Sequence, residues 1–314
     1  MRALPFARTA VMGAGAVGSF YGAMLARAGH AVTLIARTAH VQAIRRDGLK
    51  LEMGGRVETV PLAASEDVAA VHDADLVLCC VKSTDTKAAA LQLRPHLKAG
   101  VVLMSLQNGV DNAEVLVRDL PCPVVPAVVY VATAMPAPGQ VQHFGRGDLV
   151  IGRGPGNGVL PEHTLQRLVE LFASAGVVVR VSTDVQAELW SKLLVNCAYN
   201  AISGLAQLPY ARLAALPAIR DLQAEVVREV ADVAAASGVR LSVPDALKAV
   251  AGIAQAMPAQ LSSTAQDMAR RKPSEIDHLN GYIARRGEAL GVATPANRTL
   301  HALVKLVESG YDAA

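Results

Sequence analysis

The chain has 314 residues, enough for two domains with separate cores, and 52% hydrophobic against 18% charged residues excludes a disordered chain. An evenly spread formal charge of +3 and only 4% aromatic residues argue against nucleic acid as a partner, whether through a phosphate-binding patch or a base-stacking surface. Four cysteines (Cys79, Cys80, Cys122 and Cys197) form no C-x-x-C pair, and no His/Cys cluster has metal-ligand spacing. Free, mostly buried thiols in a reducing cytoplasm and no metal are expected.

At the N-terminus, Arg2 and Arg8 precede small apolar residues, a pattern that resembles an export signal. Its glycines, however, are spaced as G-x-G-x-x-G at 13–18, between a strand-like and a helix-like segment. Residues 9–12 read as a short apolar strand, 16–28 as a helix and 31–36 as a β-branched strand. Residues 75–81 and 101–105 repeat the strand pattern, each followed by a helix-like stretch. This alternation predicts a parallel sheet with helices on both faces, an α/β fold of Rossmann type. Between Leu120 and Gly145 there is no charged residue, but Pro121, Pro123, Pro126, Pro136 and Pro138 would break a membrane-spanning helix. The β-rich pieces from 124 to 152, interrupted at 136–139, predict antiparallel strands at the sheet edge, and 177–181 predicts one more strand. After Thr183 the character changes to helix: 185–206, 217–237, 243–256, 260–271, 274–291 and 295–309. The predicted organisation is a Rossmann dinucleotide-binding domain over 1–183 and an all-helical substrate and catalytic domain over 184–314. The apolar helical half offers a face for a homodimer.

The first strand runs into Gly13-Ala14-Gly15-Ala16-Val17-Gly18, a G-x-G-x-x-G loop in the strand-to-helix context that gives the pattern meaning. Gly13 permits the tight turn, Gly15 lets a pyrophosphate approach the backbone, and Gly18 lets the helix pack on the sheet. The helix N-terminus attracts the phosphate charge. An ordinary Gly-rich turn is the bland alternative. At the end of the second strand, Leu34-Ile35-Ala36-Arg37 lacks the acid that would hold the ribose 2′-hydroxyl of NAD and presents Arg37 instead. A guanidinium matches a 2′-phosphate, so NADPH is the expected cofactor. A solvent-facing arginine without a ligand is the alternative. Lys82 and Gln107-Asn108-Gly109 follow the strands at 75–81 and 101–105, where ligands of such a sheet sit. Lys82 and Asn108 are read as contacts to cofactor or substrate, against a surface lysine and an Asn-Gly turn.

In the helical half, Lys192, Asn196 and Asn200 are spaced i, i+4, i+8 among apolar neighbours. Amides and an ammonium in such a helix need polar partners, from the protein or from a ligand. Reduction of a 2-oxo acid calls for such a set: a cation near the carboxylate and carbonyl, a proton donor for the nascent alkoxide, and amides that orient the substrate. An interdomain polar network is the alternative. Glu275 is expected in the first turn of a helix, where the dipole favours a carboxylate. Gln260, Ser262, Ser263 and Thr264 form a polar cluster near a helix start, where N-capping is the plain reading.

Taken together and in order, G-A-G-A-V-G at 13–18, V-K at 81–82, Q-N-G at 107–109, W-S-K-L-L-V-N at 190–196 and E-I-D-H-L-N-G at 275–281 resemble the ketopantoate reductase (2-dehydropantoate 2-reductase) family over essentially the whole chain. The resemblance implies NADPH-dependent reduction of 2-dehydropantoate to pantoate, on the route to pantothenate and coenzyme A, in the cleft between two domains. It implies Lys192 as the general acid and Glu275 as the glutamate that helps to hold substrate and lysine. It implies Asn108, Asn196 and Asn200 as cleft asparagines and Ser263 as a donor to the substrate carboxylate. Lys82 and Arg37 match cofactor positions. The chain departs from the family where Gln260 replaces an asparagine of the substrate wall and Tyr210 aligns with another. Reduction of another small 2-oxo acid, or of an imine, is therefore the alternative substrate reading, and a non-catalytic NADP(H)-binding sensor the alternative of another class.

Overall fold

A computed structural model describes residues 6–154, 160–161 and 163–311; Arg2, part of the export-like pattern, lies outside them. The strands are β1 (Arg8–Met12), β2 (Ala31–Ile35), β3 (Leu49–Met53), β4 (Arg56–Val60), β5 (Ala63–Ser65), β6 (Leu76–Cys79), β7 (Val102–Ser105), β8 (Val124–Ala134), β9 (Gln140–Ile151) and β10 (Val179–Val181). They form one sheet in the order β4-β3-β9-β8-β7-β6-β1-β2-β5, with β10 beside β9. The stretch from β5 to β8 is parallel throughout. The order reverses between β1 and β6, so the loop after β1 opens at the topological switch point, where such sheets bind ligands.

Helices α1 (Ala16–Arg27), α2 (Thr38–Asp47), α3 (Thr86–Leu93), α4 (Asn112–Asp119) and α5 (Thr164–Ser174) cover the sheet. Leu76 and Leu78 pack into the core layer shared with Phe20, Tyr21 and Leu25 of α1 and Phe172 of α5. Val77 and Cys79 face the opposite layer, with Ala90 and Leu93 of α3 and Leu116 of α4. Burial on both faces is why these strands read as continuous apolar runs rather than as alternations. All four cysteines are free, with Cys79 and Cys197 buried and the other two half-buried. Burial pushes the Cys79 thiol up to about 12 and Cys122 up to about 11, so neither is a ready nucleophile.

One expectation about the sheet needs correction. Strands β8 and β9 are antiparallel, but they are not the edge: β3 runs parallel to β9 on its far side and β4 closes the sheet. The β3–β4 hairpin had a local signal, since L-K-L-E-M and R-V-E-T-V flank Gly54-Gly55. Both glycines have positive φ (58° and 75°), as a two-residue hairpin turn requires.

The chain divides into two compact units, Met1–Val185 and Gln186–Ala314. The second is built around α6 (Val185–Ala206), followed by α7 (Tyr210–Ala215), α8 (Pro217–Ala236), α9 (Val243–Ala256), α10 (Ser263–Ala269), α11 (Asn280–Leu290) and α12 (Pro295–Glu308). Three helices, and the residue that precedes a fourth, bond side chains to α6 or from it. Gln223 of α8 donates to the Ala198 carbonyl (3.2 Å), and Tyr199 donates to Val250 of α9 (2.8 Å). Ser262, before α10, donates to the Asn200 carbonyl (3.2 Å), and Asn280 of α11 to that of Cys197 (3.1 Å). A helix so surrounded is apolar around most of its circumference, as the sequence of α6 is.

The expected helix over 274–291 breaks in two. A 3-10 turn covers Ile276–His278, Leu279 leaves helical geometry at φ −112°, ψ −108°, and α11 starts at Asn280. The expected helix over 260–271 shortens to α10, because the Ser262 hydroxyl caps it by accepting the Ala265 N–H at 3.0 Å. No helix of the described residues is long and apolar enough to cross a membrane.

Candidate active site

The first unit forms a cradle at the end of β1. Gly13 has φ +84°, and a Cβ there would lie 2.5 Å from Val81 Cγ1 and 2.7 Å from the Val81 nitrogen. The loops after β1 and β6 thus touch, and only glycine fits. A Cβ on Gly18 would meet the Gly13 carbonyl at 2.8 Å, whereas one on Gly15 would meet nothing within 4 Å. The three glycines therefore serve the turn, an open backbone and helix packing, in that order. Helix α1 has no side-chain cap and no acid in its first turn, which leaves its N-terminal N–H groups to an anion. Ala14 is buried, while Ala16 and Val17 are half-buried. These features fit the pyrophosphate of a dinucleotide.

Behind the loop lies a buried chain of hydrogen bonds that local sequence patterns do not reveal. The Gly139 N–H donates to His40 Nδ1 (2.8 Å), and His40 Nε2 lies 3.0 Å from Ser19 Oγ, which donates to the Ala14 carbonyl (3.1 Å). An acceptor role for Nδ1 puts the imidazole proton on Nε2. Burial lowers the His40 pKa below its ordinary range, so the neutral ring is the favoured one.

Arg37 is exposed at the start of α2, immediately beyond β2, and its side chain has no hydrogen bond or ion pair among the described residues. Lys82 is exposed at the end of β6, and Asn108 is half-buried after β7. A polar network joins the loops that carry them. Gln107 Nε2 donates to the Val81 carbonyl (3.1 Å) and to Thr86 Oγ1 (2.7 Å), which donates to Asn112 Oδ1 (2.7 Å). Asn112 Nδ2 and Ser83 Oγ both donate to the Asn108 carbonyl, at 2.5 and 2.7 Å. Ser83, Thr86, Gln107 and Asn112 are buried, so this network holds the two loops as one piece.

In the second unit, Lys192 and Asn196 are half-buried and Asn200 is buried on α6. Asn200 Nδ2 lies 3.5 Å from Ser263 Oγ, which brings together two of the expected substrate residues; Ser263 itself is exposed at the start of α10. Gln260 lies before α10 rather than in it. Its side chain donates to the Leu261 carbonyl (2.8 Å), and its own carbonyl accepts the Tyr210 N–H (3.0 Å). Tyr210 is 9% exposed, with its ring 4.5 Å from that of Tyr199. Burial pushes its hydroxyl up to about 12, so it packs as a neutral core residue.

Glu275 is half-buried and precedes the 3-10 turn, not an α-helix, so the helix dipole expected to favour its charge is not there. The residues on either side of it are anchored to a later helix. The buried Glu308 carboxylate accepts both the N–H (2.8 Å) and hydroxyl (2.6 Å) of Ser274. Asp277 bonds His301 Nε2 (2.6 Å) and Lys305 Nζ (2.9 Å). The His301 ring packs against Gly281, where a Cβ would lie 2.7 Å from it. Both flanks of Glu275 are thus pinned to α12. Sequence spacing gave no sign of these partners, because they come from a helix some thirty residues later.

Comparison with known proteins shows what the chain is similar to. Residues 9–156 match the family model for ketopantoate reductase PanE/ApbA, and residues 184–308 match the model for the C-terminal part of that family. The 2-dehydropantoate 2-reductase of Halobacterium salinarum is 32% identical over 304 residues, which cover 96% of this chain and 99% of that protein. A crystal structure of a PanE/ApbA family ketopantoate reductase from Ralstonia eutropha JMP134 is similar at TM-score 0.91 and 52% identity, over 97% of this chain and 99% of the other. A D-mandelate dehydrogenase, solved with NADH and anilino(oxo)acetate, is similar at TM-score 0.91 and 25% identity over the same shares.

Proposed function

The chain belongs to the ketopantoate reductase PanE/ApbA family, a family of oxidoreductases, and on that premise we propose that it reduces 2-dehydropantoate to pantoate with NADPH, on the route to pantothenate and coenzyme A. The observation that carries this reading is the Lys192–Asn196–Asn200 line on α6, which ends within 3.5 Å of Ser263. Such a line pairs a cation with amide and hydroxyl donors, the groups that a 2-oxo acid needs.

When bound, the dinucleotide supplies the hydride to the 2-oxo carbon. Lys192 Nζ donates a proton to the carbonyl oxygen as it gains negative charge, and recovers one from solvent. On the second unit, Asn200 and Ser263 hold the carboxylate and Asn196 orients the carbonyl; on the first, Asn108 contacts the cofactor and its reactants. Glu275, steadied by its neighbours, helps to hold substrate and lysine. The glycine loop from Gly13 to Gly18 and Lys82 hold the dinucleotide, and Arg37 answers a 2′-phosphate. The free, buried thiols agree with a reducing cytoplasm. A homodimer through the helical unit has support in Leu303, Leu306 and Val307, exposed on one stripe of α12.

The test is NADPH oxidation with 2-dehydropantoate. Turnover that depends on this substrate is expected, and its absence at any enzyme concentration overturns the reading. A second reading, reduction of a bulkier 2-oxo acid, draws support from the likeness to a D-mandelate dehydrogenase solved with NADH and anilino(oxo)acetate. A panel of 2-oxo acids assayed side by side separates the two.

A further inference from the structure

The register of the parallel sheet places Ile35 of β2 opposite Ser65 of β5, and the Ala36 N–H donates to the Ser65 carbonyl at 3.1 Å. Beyond this rung, one strand end carries Arg37 and Thr38 and its neighbour carries Glu66 and Asp67. Asp67 is committed to its own turn, where Oδ1 accepts the Ala69 N–H at 2.9 Å. Glu66 is exposed, and Thr38 Oγ1 donates to its carboxylate. That bond draws the Glu66 carboxylate to the residue next to Arg37.

A sheet of this kind reads the adenosine ribose at the end of its second strand. There an acid accepts from a 2′-hydroxyl, or an arginine answers a 2′-phosphate. The end of β2 carries only the arginine. The fold supplies an acid from the neighbouring strand, about thirty residues later in the chain. A fixed carboxylate repels the phosphate of NADPH, yet it can accept from the hydroxyl of NADH.

We propose that Glu66 is a second determinant of cofactor choice: its carboxylate, held by Thr38, opposes a 2′-phosphate and accepts from a 2′-hydroxyl, so the chain takes NADH beside NADPH. This inference rests on dinucleotide binding at the Gly13–Gly18 loop and on the role given above to Arg37.

Nicotinamide fluorescence titration, without any oxo acid present, tests it on the full chain and on Glu66→Gln and Glu66→Lys. The unaltered chain is expected to bind both dinucleotides. The ratio of NADPH to NADH affinity should rise roughly three- to tenfold with Gln and further with Lys. The gap between the unaltered chain and Glu66→Gln should narrow from about 0.02 M to about 0.5 M salt, because screening weakens a charge effect and not a packing effect. A ratio constant within about twofold across the series, or equal weakening of both dinucleotides, overturns the role of Glu66 while leaving the reductase reading in place. Binding of neither dinucleotide by the unaltered chain overturns both.

Discussion

His40 accepts the Gly139 N–H at Nδ1 over 2.8 Å, and this single bond decides the histidine's tautomer. Its remaining proton faces Ser19, whose hydroxyl is then free to bond Ala14 in the cofactor loop. A protonated ring would set two N–H donors face to face. Burial keeps the His40 pKa below its ordinary 6.5, so the unfolded chain takes up this proton at a higher pH than the folded one. The contribution is complete above the ordinary value and is lost as the pH falls below it. The urea midpoint should therefore drop between about pH 7.5 and about pH 5.5, and His40→Asn should flatten that drop. An identical slope in the variant would remove His40 from this role.

Lys192→Ala should lower turnover by about 10²–10⁴, with cofactor affinity little changed, since it removes the proton donor and leaves the loop of the first unit intact. Steady-state kinetics together with a dinucleotide titration checks this. Turnover near that of the unaltered enzyme would refute the general-acid role.

Gly13→Ala combines a left-handed φ of +84° with a Cβ placed 2.5 Å from Val81. The backbone cost alone is about 1 kcal/mol, and the contact with Val81 is not relieved by a rotamer change, because the Val81 backbone is equally close. Loss of dinucleotide binding and a lower melting temperature are expected, whereas Gly15→Ala, which meets no neighbour, should weaken binding with little effect on melting.

Asn112→Ala should destabilise the fold by about 1–3 kcal/mol, because buried Thr86 and the Asn108 carbonyl each lose a partner. The loops carrying Lys82 and Asn108 should also lose their common brace. Calorimetry and cofactor titration on one preparation would separate the two effects; unchanged melting contradicts the network's structural role.

Arg37→Asp should weaken NADPH far more than NADH, since a guanidinium pairs with a 2′-phosphate and not with a hydroxyl. Equal loss for both dinucleotides would dismiss Arg37 as the phosphate partner.

Local spacing was enough to read the glycine loop, Arg37 and the Lys192–Asn196–Asn200 line. Each depends on a strand-to-helix junction or on the 3.6-residue period of one helix, and both are written in consecutive residues. The partners of these residues belong to the tertiary structure. Ser19 meets His40, Thr86 meets Asn112, Ser274 meets Glu308 and Thr38 meets Glu66 across 21 to 34 residues of chain. Strand register and helix packing decide such pairs, and no local period encodes them. Glu275 shows the difference within one motif. Its position was legible, yet the helix expected to support it is a 3-10 turn, and its flanks are held instead by Glu308, His301 and Lys305 of α12. The sequence by itself determined which chemistry-bearing groups the chain carries and on which elements. Only the tertiary structure decided which buried polar groups steady them, because satisfying a buried donor or acceptor depends on whatever the fold brings within about 3 Å.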